Sequence, residues 1–260
     1  MSLKGSLNRR HWLAAAGASL TSLWLAGCDK LATNSTFTGV LKVAEKWSQG
    51  AQRAITDRNA LAKEFAAADI SKDFKANGTL RPLDDDYQAL MAGGFTGYRL
   101  VVDGLVERPL ELTLDEVRAL PSRTQITRHD CVEGWSSIGK WKGARLSALL
   151  KQAGLKPEAK FIVFHCFDTL EQTLDGSGRY YESIDLVDAM HPQTILAYQM
   201  NDATLPVRHG YPLRLRVERQ LGYKHAKYVM RIEAVAEFSQ IGRGQGGFWP
   251  DRGYEWYAGI

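Results

Sequence analysis

Arg128-His129-Asp130-Cys131-Val132-Glu133-Gly134-Trp135 is the stretch on which the reading turns. It is polar, and Thr124 to Thr127 before it reads as a strand that delivers the chain to His129-Asp130-Cys131. A cysteine at a strand end, with arginine and histidine on one side and glutamate on the other, sits among charged groups. A thiolate is what a soft or high-valent metal, or a nucleophilic mechanism, requires. The same cysteine also suits a small buried hydrophobe. From this stretch alone a metal ligand, a nucleophile and a structural residue all stay open.

Working outward, Tyr98 to Val102 reads as a strand, Asp103-Gly104 as a tight turn and Leu110 to Leu112 as the partner strand. Thr113-Leu114-Asp115-Glu116 opens a short helix, with Thr113 as N-cap and Glu116 completing a capping box, and the helix stops at Leu120-Pro121. Leu146 to Ala153 reads as a helix closed by Gly154. Phe161 to Phe164 is a buried strand, Leu186 to Met190 a short helix, and Leu213 to Val217 and Tyr228 to Ala236 two further strands. Strands and short helices interleave without a βαβ repeat, which predicts an α+β domain of mixed sheets over residues 98–238.

Before this domain, Val40, Leu41, Ala44, Trp47, Ala51 and Ile55 fall near helical spacing between Phe37 and Phe65, predicting an amphipathic helix or a pair of them. With the tether before it, this forms an N-terminal helical segment over 28–97. Asn77-Gly78 and Arg81-Pro82 mark a loop, and Asp84-Asp85-Asp86 reads as a solvated turn. After the domain, residues 239–260 form a glycine-rich aromatic arm, with Phe248-Trp249-Pro250 and Trp256-Tyr257. Such an arm suits a cap on the site, a docking surface, or simple packing on the domain.

The first residues read as an address. Arg9-Arg10 precede an apolar run from Trp12 to Gly27, too short for the about 20 residues that span a bilayer. Leu25-Ala26-Gly27-Cys28 resembles a bacterial lipobox, and the arginine pair a twin-arginine export signal. Residues 1–27 are therefore read as a signal peptide, with Cys28 as the lipid anchor of a periplasmic protein. Removing them takes away three of the 33 basic residues and none of the 29 acidic ones, leaving a balance of +1. Charge gives no case for a nucleic-acid partner. The chain has three cysteines. With Cys28 assigned to lipid, Cys131 and Cys166 are left, and in an oxidising compartment a disulfide between them is one option.

Two downstream segments bear on Cys131. His209-Gly210-Tyr211-Pro212-Leu213-Arg214 and Gly222-Tyr223-Lys224-His225-Ala226-Lys227 each precede a strand. Their glycines let backbone approach a ligand closely, and Arg214 and Lys227 offer charge to a phosphate. In the order Cys…Gly-x-Pro-x-Arg…Gly-Tyr-Lys-x-x-Lys, the three segments resemble the oxidoreductase molybdopterin-binding domain family, which has the sulfite oxidase fold. Cys131 to Trp135 is similar to the cysteine motif of its bacterial periplasmic branch, which includes the methionine sulfoxide reductase catalytic subunit.

The resemblance implies a molybdenum–molybdopterin cofactor and two-electron oxygen-atom transfer. Cys131 would be the metal ligand. His209, Arg214, Lys227 and the backbone around His225 and Ala226 would hold the pterin and its phosphate. Cys166 falls where a threonine contacts the cofactor in the reductase branch. Arg128, His129, Glu133 and Trp135 are substrate-side candidates, with Arg128 and Glu133 placed in the catalytic set. The family's early Asn-Asn-Phe-Tyr segment has no match here, and Asn77 and Tyr87 are its nearest stand-ins. Sulfite-oxidising relatives carry an Asn-Arg-Arg cluster after the cysteine, and Glu133-Gly134-Trp135 departs from it. No haem or iron–sulfur spacing is present, so electrons would be exchanged with a separate carrier such as a membrane cytochrome. A metal-free binding lipoprotein of the same fold and a thiol enzyme using Cys131 as nucleophile are the competing readings.

Overall fold

The computed structural model describes residues 35–260; the leader, the lipobox and Cys28 lie outside the described residues. The chain separates into two units, Met1–Ala54 and Ile55–Ile260. In the first, α1 (Ser35–Ile55) is a single helix. The expected helical span to Phe65 is cut short at Ile55, because Asp57 and Asn59 turn the chain there, Asn59 N–H donating to Asp57 Oδ1 at 2.7 Å. Val43, Trp47 and Ile55 are exposed along the helix. No helix among the described residues is long and apolar enough to cross a membrane.

In the second unit, α2 (Asp85–Ala92) precedes β1 (Arg99–Gly104), β2 (Leu110–Thr113), α3 (Leu114–Ala119), β3 (Ser122–Asp130) and β4 (Ser136–Arg145). Then follow α4 (Leu146–Ala153), β5 (Phe161–Thr169), β6 (Arg179–Asp185), α5 (Leu186–Ala189), β7 (Ile195–Met200), β8 (Ala203–Thr204), β9 (Arg214–Arg216) and β10 (Val229–Val235). One sheet has the order β2-β1-β10-β5-β6; the other runs β3-β4-β7-β8, with β9 also paired to β7. Within the first sheet β1 and β10 are parallel, Val101 facing Arg231, while the other pairs are antiparallel. This is the expected α+β architecture of mixed sheets and short helices.

The predicted helix ends are realised in detail. Glu116 N–H donates to Thr113 Oγ1 at 3.1 Å, and Thr113 N–H to Glu116 Oε2 at 2.8 Å. Gly154, at φ +71°, closes α4 through its N–H to Leu150 O. The acidic run is a correction: Asp84 accepts from Tyr87 N–H and caps α2, whose first turn holds Asp85 and Asp86. Carboxylates at a helix N-terminus meet its unpaired N–H groups and its positive dipole end, so three acids in a row start a helix here.

Leu100 and Val102 of β1, Ile162 and Phe164 of β5 and Ile232 of β10 share one core with Leu149 and Leu150 of α4 and Leu196 of β7. Alternation along β7 sends Ile195 and Ala197 to a second cluster around Phe74 and Trp141. The compact unit extends beyond the expected 98–238. Phe74, Tyr87 and Phe95 before it, and Phe248 after it, are core residues.

Candidate active site

Cys131 stands at the end of β3, where backbone geometry forces a turn. Its N–H donates to Trp135 O at 2.9 Å, and Gly134 N–H returns to Cys131 O at 3.0 Å. Gly134 adopts φ +83°, a conformation that favours glycine. The side chain is nearly buried but faces a cleft. Both sheets and both flanking segments build this cleft: Asn77 to Thr79, Cys131 to Glu133, Asp168 of β5, Arg214 of β9, the turn 222–227, and Trp249 and Tyr254 of the arm.

Beneath Cys131 lies a buried polar network. Along β3, Gln125, Thr127 and His129 point inward. Arg216 holds Glu218 through two hydrogen bonds of 2.9 and 2.6 Å and donates to His129 Nδ1 at 3.0 Å. Gln125 completes the set on Glu218 at 2.8 Å. Because Arg216 can only donate, neutral His129 carries its proton on Nε2. Burial, with the charges of Arg214 and Arg216 nearby, holds its pKa well down and the ring neutral. The network locks the end of β3, and with it the position of Cys131.

Gly222 closes against this ring. A Cβ there would lie 2.6 Å from His129 Nε2 and 3.1 Å from Asp130 O. Neither neighbour is free to retreat, since the ring is fixed by Arg216 and the carbonyl belongs to β3. Gly222→Ala is expected to cost roughly 1–3 kcal/mol, the usual range for overpacking. Urea unfolding checks this; an unchanged midpoint would show that the site yields.

Arg214 is 2% exposed and faces the cleft. Its Nη1 donates to His209 O at 3.1 Å, its Nε has no partner, and no acidic side chain among the described residues forms an ion pair with it. Burial and the neighbouring Arg216 charge pull its pKa down to about 9. A buried guanidinium without a counter-ion is stabilised by an anion brought to it. His225 also lines the cleft, with Nε2 on Gln220 O at 3.0 Å and Nδ1 unpartnered. Lys227 lines it too, but its ammonium donates to Asn77 O and Thr79 O, each at 2.6 Å, and to Arg208 O at 3.5 Å. Burial pulls its pKa down to about 7.

Asp168 is the buried carboxyl of the cleft. Burial pushes it up to about 6, opposed by Lys227 and by a hydrogen bond from Thr79. From the ordinary carboxylate value to about 6, the native state keeps a proton that the unfolded chain has released. This group's contribution to stability therefore falls as pH rises through that window. Asp168→Asn should remove the dependence, gaining on the parent by about 2 kcal/mol between about pH 4.5 and 7.5 in thermal melts. A constant difference would mean that Asp168 titrates as an ordinary carboxylate.

The remaining sequence candidates are distributed unevenly. Glu133 stands at the cleft mouth, accepting from Trp135 Nε1 at 2.8 Å and Lys75 at 3.4 Å, which holds its pKa low. Arg128 points away, because strand alternation turns it from the His129 face; it pairs with Asp130 at 2.9 Å beside a separate depression near Lys63. Cys166 lies in the core under the cleft, and burial pushes its thiol pKa well up. Both cysteines are free thiols, so the disulfide option is not realised. His209 is buried against Phe74, its pKa pulled down to about 4 by burial and by Arg214. It does not line the cleft, and Ala226 is a core residue. Tyr87 is a core residue as well, donating to Tyr211 O at 2.8 Å.

Asn77 does reach the site: its Nδ2 donates to Cys131 Sγ at 3.7 Å. Asp168 and Tyr180 are cleft residues that sequence reasoning left unassigned to it, while Tyr223 lies in the 222–227 segment and Trp249 and Tyr254 in the arm for which a cap on the site was one expectation.

The donor set fits an anionic organic cofactor bearing a metal. It offers one thiol, one unpaired buried guanidinium, unpartnered imidazole nitrogen, and aromatic walls. No group of three or more His, Cys, Asp or Glu among the described residues could hold a metal ion alone. A metal at Cys131 would need its other ligands from the bound group.

Comparison with known proteins agrees. The family model for the oxidoreductase molybdopterin binding domain matches residues 91–241. A protein of Azospira oryzae, provisionally named protein-methionine-sulfoxide reductase subunit YedZ1, is 36% identical over 90% of this chain and 81% of its own length. The protein-methionine-sulfoxide reductase catalytic subunit MsrP of Pseudomonas syringae is 32% identical over 89% of this chain and 72% of its own. That of Campylobacter jejuni is 33% identical over 54% and 50%. Among solved structures, a chain of the sulfane dehydrogenase SoxCD from Paracoccus pantotrophus matches with TM-score 0.48 and 26% identity, over 55% of this chain and 39% of its own. The chain belongs to the oxidoreductase molybdopterin-binding domain family and is an oxidoreductase of that family.

Proposed function

We propose that the chain is a sulfoxide-reducing enzyme of the cell envelope that binds molybdopterin in this cleft, with Cys131 as the single protein thiolate on molybdenum. The observation that carries this is Arg214, a buried cation with no acidic ion-pair partner among the described residues, in the cleft that Cys131 faces. Arg214 and the backbone of the turn 222–227 receive the cofactor's phosphate. When bound, the cofactor supplies two-electron oxygen-atom transfer. The net reaction takes up two electrons and two protons and releases a sulfide and water.

The chain's own residues favour a neutral sulfoxide over an oxyanion. Arg214 is the one guanidinium lining the cleft among the described residues, and it is buried beyond the mouth. Arg128 is turned away. At the mouth stand the Glu133 carboxylate, Val132, Trp249 and Tyr254. The mouth presents the Glu133–Lys75 ion pair rather than a cluster of cations for sulfite, whereas its apolar and aromatic walls accept a methyl sulfoxide side chain, like those on which the named relatives act. Electrons come from a separate carrier such as a membrane cytochrome, to which a lipid anchor at Cys28 would keep the enzyme close in the periplasm.

The test is metal analysis and assay of full-length protein made in a host competent for molybdopterin synthesis. About one molybdenum per chain, with methionine sulfoxide reduced by a viologen dye, is the expected result. A stably folded, metal-free protein would sink the reading and favour the binding lipoprotein. Sulfite oxidation faster than sulfoxide reduction would overturn the substrate assignment. Alkylation-sensitive activity without molybdenum would favour the thiol enzyme.

A further inference from the structure

Lys227 is buried, at 8% exposure, and lines a cleft that on the proposed reading takes a phosphate. An ammonium has three N–H donors, and here three backbone carbonyls receive them: Asn77 O, Thr79 O and, more distantly, Arg208 O. Two of the three lie on one short strap, Asn77-Gly78-Thr79. Gly78 between them has φ +62°, a conformation that favours glycine. Tyr228 Oη donates to the same Thr79 carbonyl at 2.9 Å, adding a second fastener from the adjacent residue. The strap lines the cleft beside Cys131, and its first residue sends Nδ2 to the Cys131 sulfur.

We infer that Lys227 is a positioning residue: it fastens the strap Asn77–Thr79 across the cleft and so holds the Asn77 amide against the Cys131 sulfur. The fastening itself is independent of any cofactor. Its effect on the bound metal rests on the reading of Cys131 as the metal thiolate given above. A neutral amide donor on a metal thiolate withdraws charge from the sulfur, as outer partners of metal ligands do. The strap thereby does locally what a dedicated early segment would do, and the phosphate falls to Arg214 and backbone N–H groups.

The strap is flanked by a trypsin-type bond, Lys75–Ala76, and a chymotrypsin-type bond, Leu80–Arg81, both at exposed residues. Cleavage is measured on the full chain, made with and without molybdopterin supply. In both preparations Lys227→Met is expected to cleave at least about tenfold faster than the parent, matching loss of one buried charge-assisted bond. Tyr228→Phe, which keeps the core ring, should show a smaller increase, and Lys227→Arg should restore protection. Unchanged strap cleavage in Lys227→Met overturns the inference. Loss of molybdenum with the strap still protected would put Lys227 on the phosphate instead. In loaded protein, Asn77→Leu and Lys227→Met should shift the thiolate-to-molybdenum absorption band in the same direction, with no further shift in the double variant. A band unmoved by Asn77→Leu overturns the link from strap to sulfur. Because cleavage is also read without cofactor, absence of molybdenum leaves the strap test intact.

Discussion

Cys131→Ala is expected to leave a folded protein that retains almost no molybdenum and reduces no sulfoxide. The side chain lies at the cleft edge, outside the main cluster, so its truncation should cost only about 1 kcal/mol of stability. The loss of metal should exceed the roughly 10–100-fold that removal of an outer partner costs, because on the proposed reading Cys131 is the ligand itself. The informative comparison is Cys166→Ala. That thiol is fully buried in the core, so its loss should lower the unfolding midpoint while molybdenum content holds. Metal analysis beside thermal melts separates the two. If Cys166→Ala loses the metal and Cys131→Ala keeps it, the assignment of the ligand is wrong.

Lys224→Met is expected to produce the largest loss of stability. Lys224 Nζ and Glu182 Oε1 form an ion pair of 2.5 Å between two fully buried side chains. The aromatic arm covers them: Lys224 lies 5.2 Å from the Trp256 ring, and Gly247 pairs with Glu182 because a Cβ there would sit 2.5 Å from the carboxylate. Removing one partner of such a pair costs about 3–5 kcal/mol, since the other charge is left without compensation. Burial already pushes Glu182 up to about 7 despite the lysine. Without Lys224 its pKa rises further and the carboxyl stays neutral at low pH. A raised folded pKa means stability present at low pH and lost as pH rises; parent and variant lose it alike until the parent's Glu182 ionises near 7, so the deficit of Lys224→Met should grow only from about pH 7 to pH 8.5. Adding Glu182→Gln should recover most of it, because an amide needs no counter-ion and can still accept from Ser183 N–H, as Glu182 does at 2.9 Å. Urea titrations at both pH values check this; a deficit independent of pH would show that packing, not charge, is lost.

Legibility in the sequence followed the range of the signal. Thr113 with Glu116, and Leu150 with Gly154, are local pairs whose chemistry is complete within one turn, and both were readable. β4 was not, because Gly139 and Gly143 look like breakers. In the fold they are contact points: a Cβ at Gly139 would press on the Phe74 ring at 3.2 Å, and one at Gly143 would meet Leu196 O at 2.3 Å. Those neighbours lie tens of residues away, and no local pattern encodes them. The cleft shows the same division. Cys131, Arg214 and the 222–227 turn carry unusual composition and stood out. Asn77 and Asp168 are ordinary loop and strand-end residues until the fold sets them beside Lys227 and Cys131. Arg128 does not line the cleft for a simpler reason: adjacency to Cys131 in sequence is not adjacency in space, since neighbouring strand residues face opposite sides.

The parallel pairing of β1 with β10 sets residue 101 beside residue 231, and the cleft walls run from residue 77 to residue 254. During synthesis the first of these strands therefore waits, unpaired on that edge, until nearly the whole chain has left the ribosome. Local helices such as α3 and α4 can form as they emerge; the central sheet and the cleft cannot. Pairings of such long sequence separation close slowly, because the loop entropy must be met before the contact forms. On the proposed reading a cofactor can be fitted only after all the cleft segments from residue 77 to residue 254 have been made.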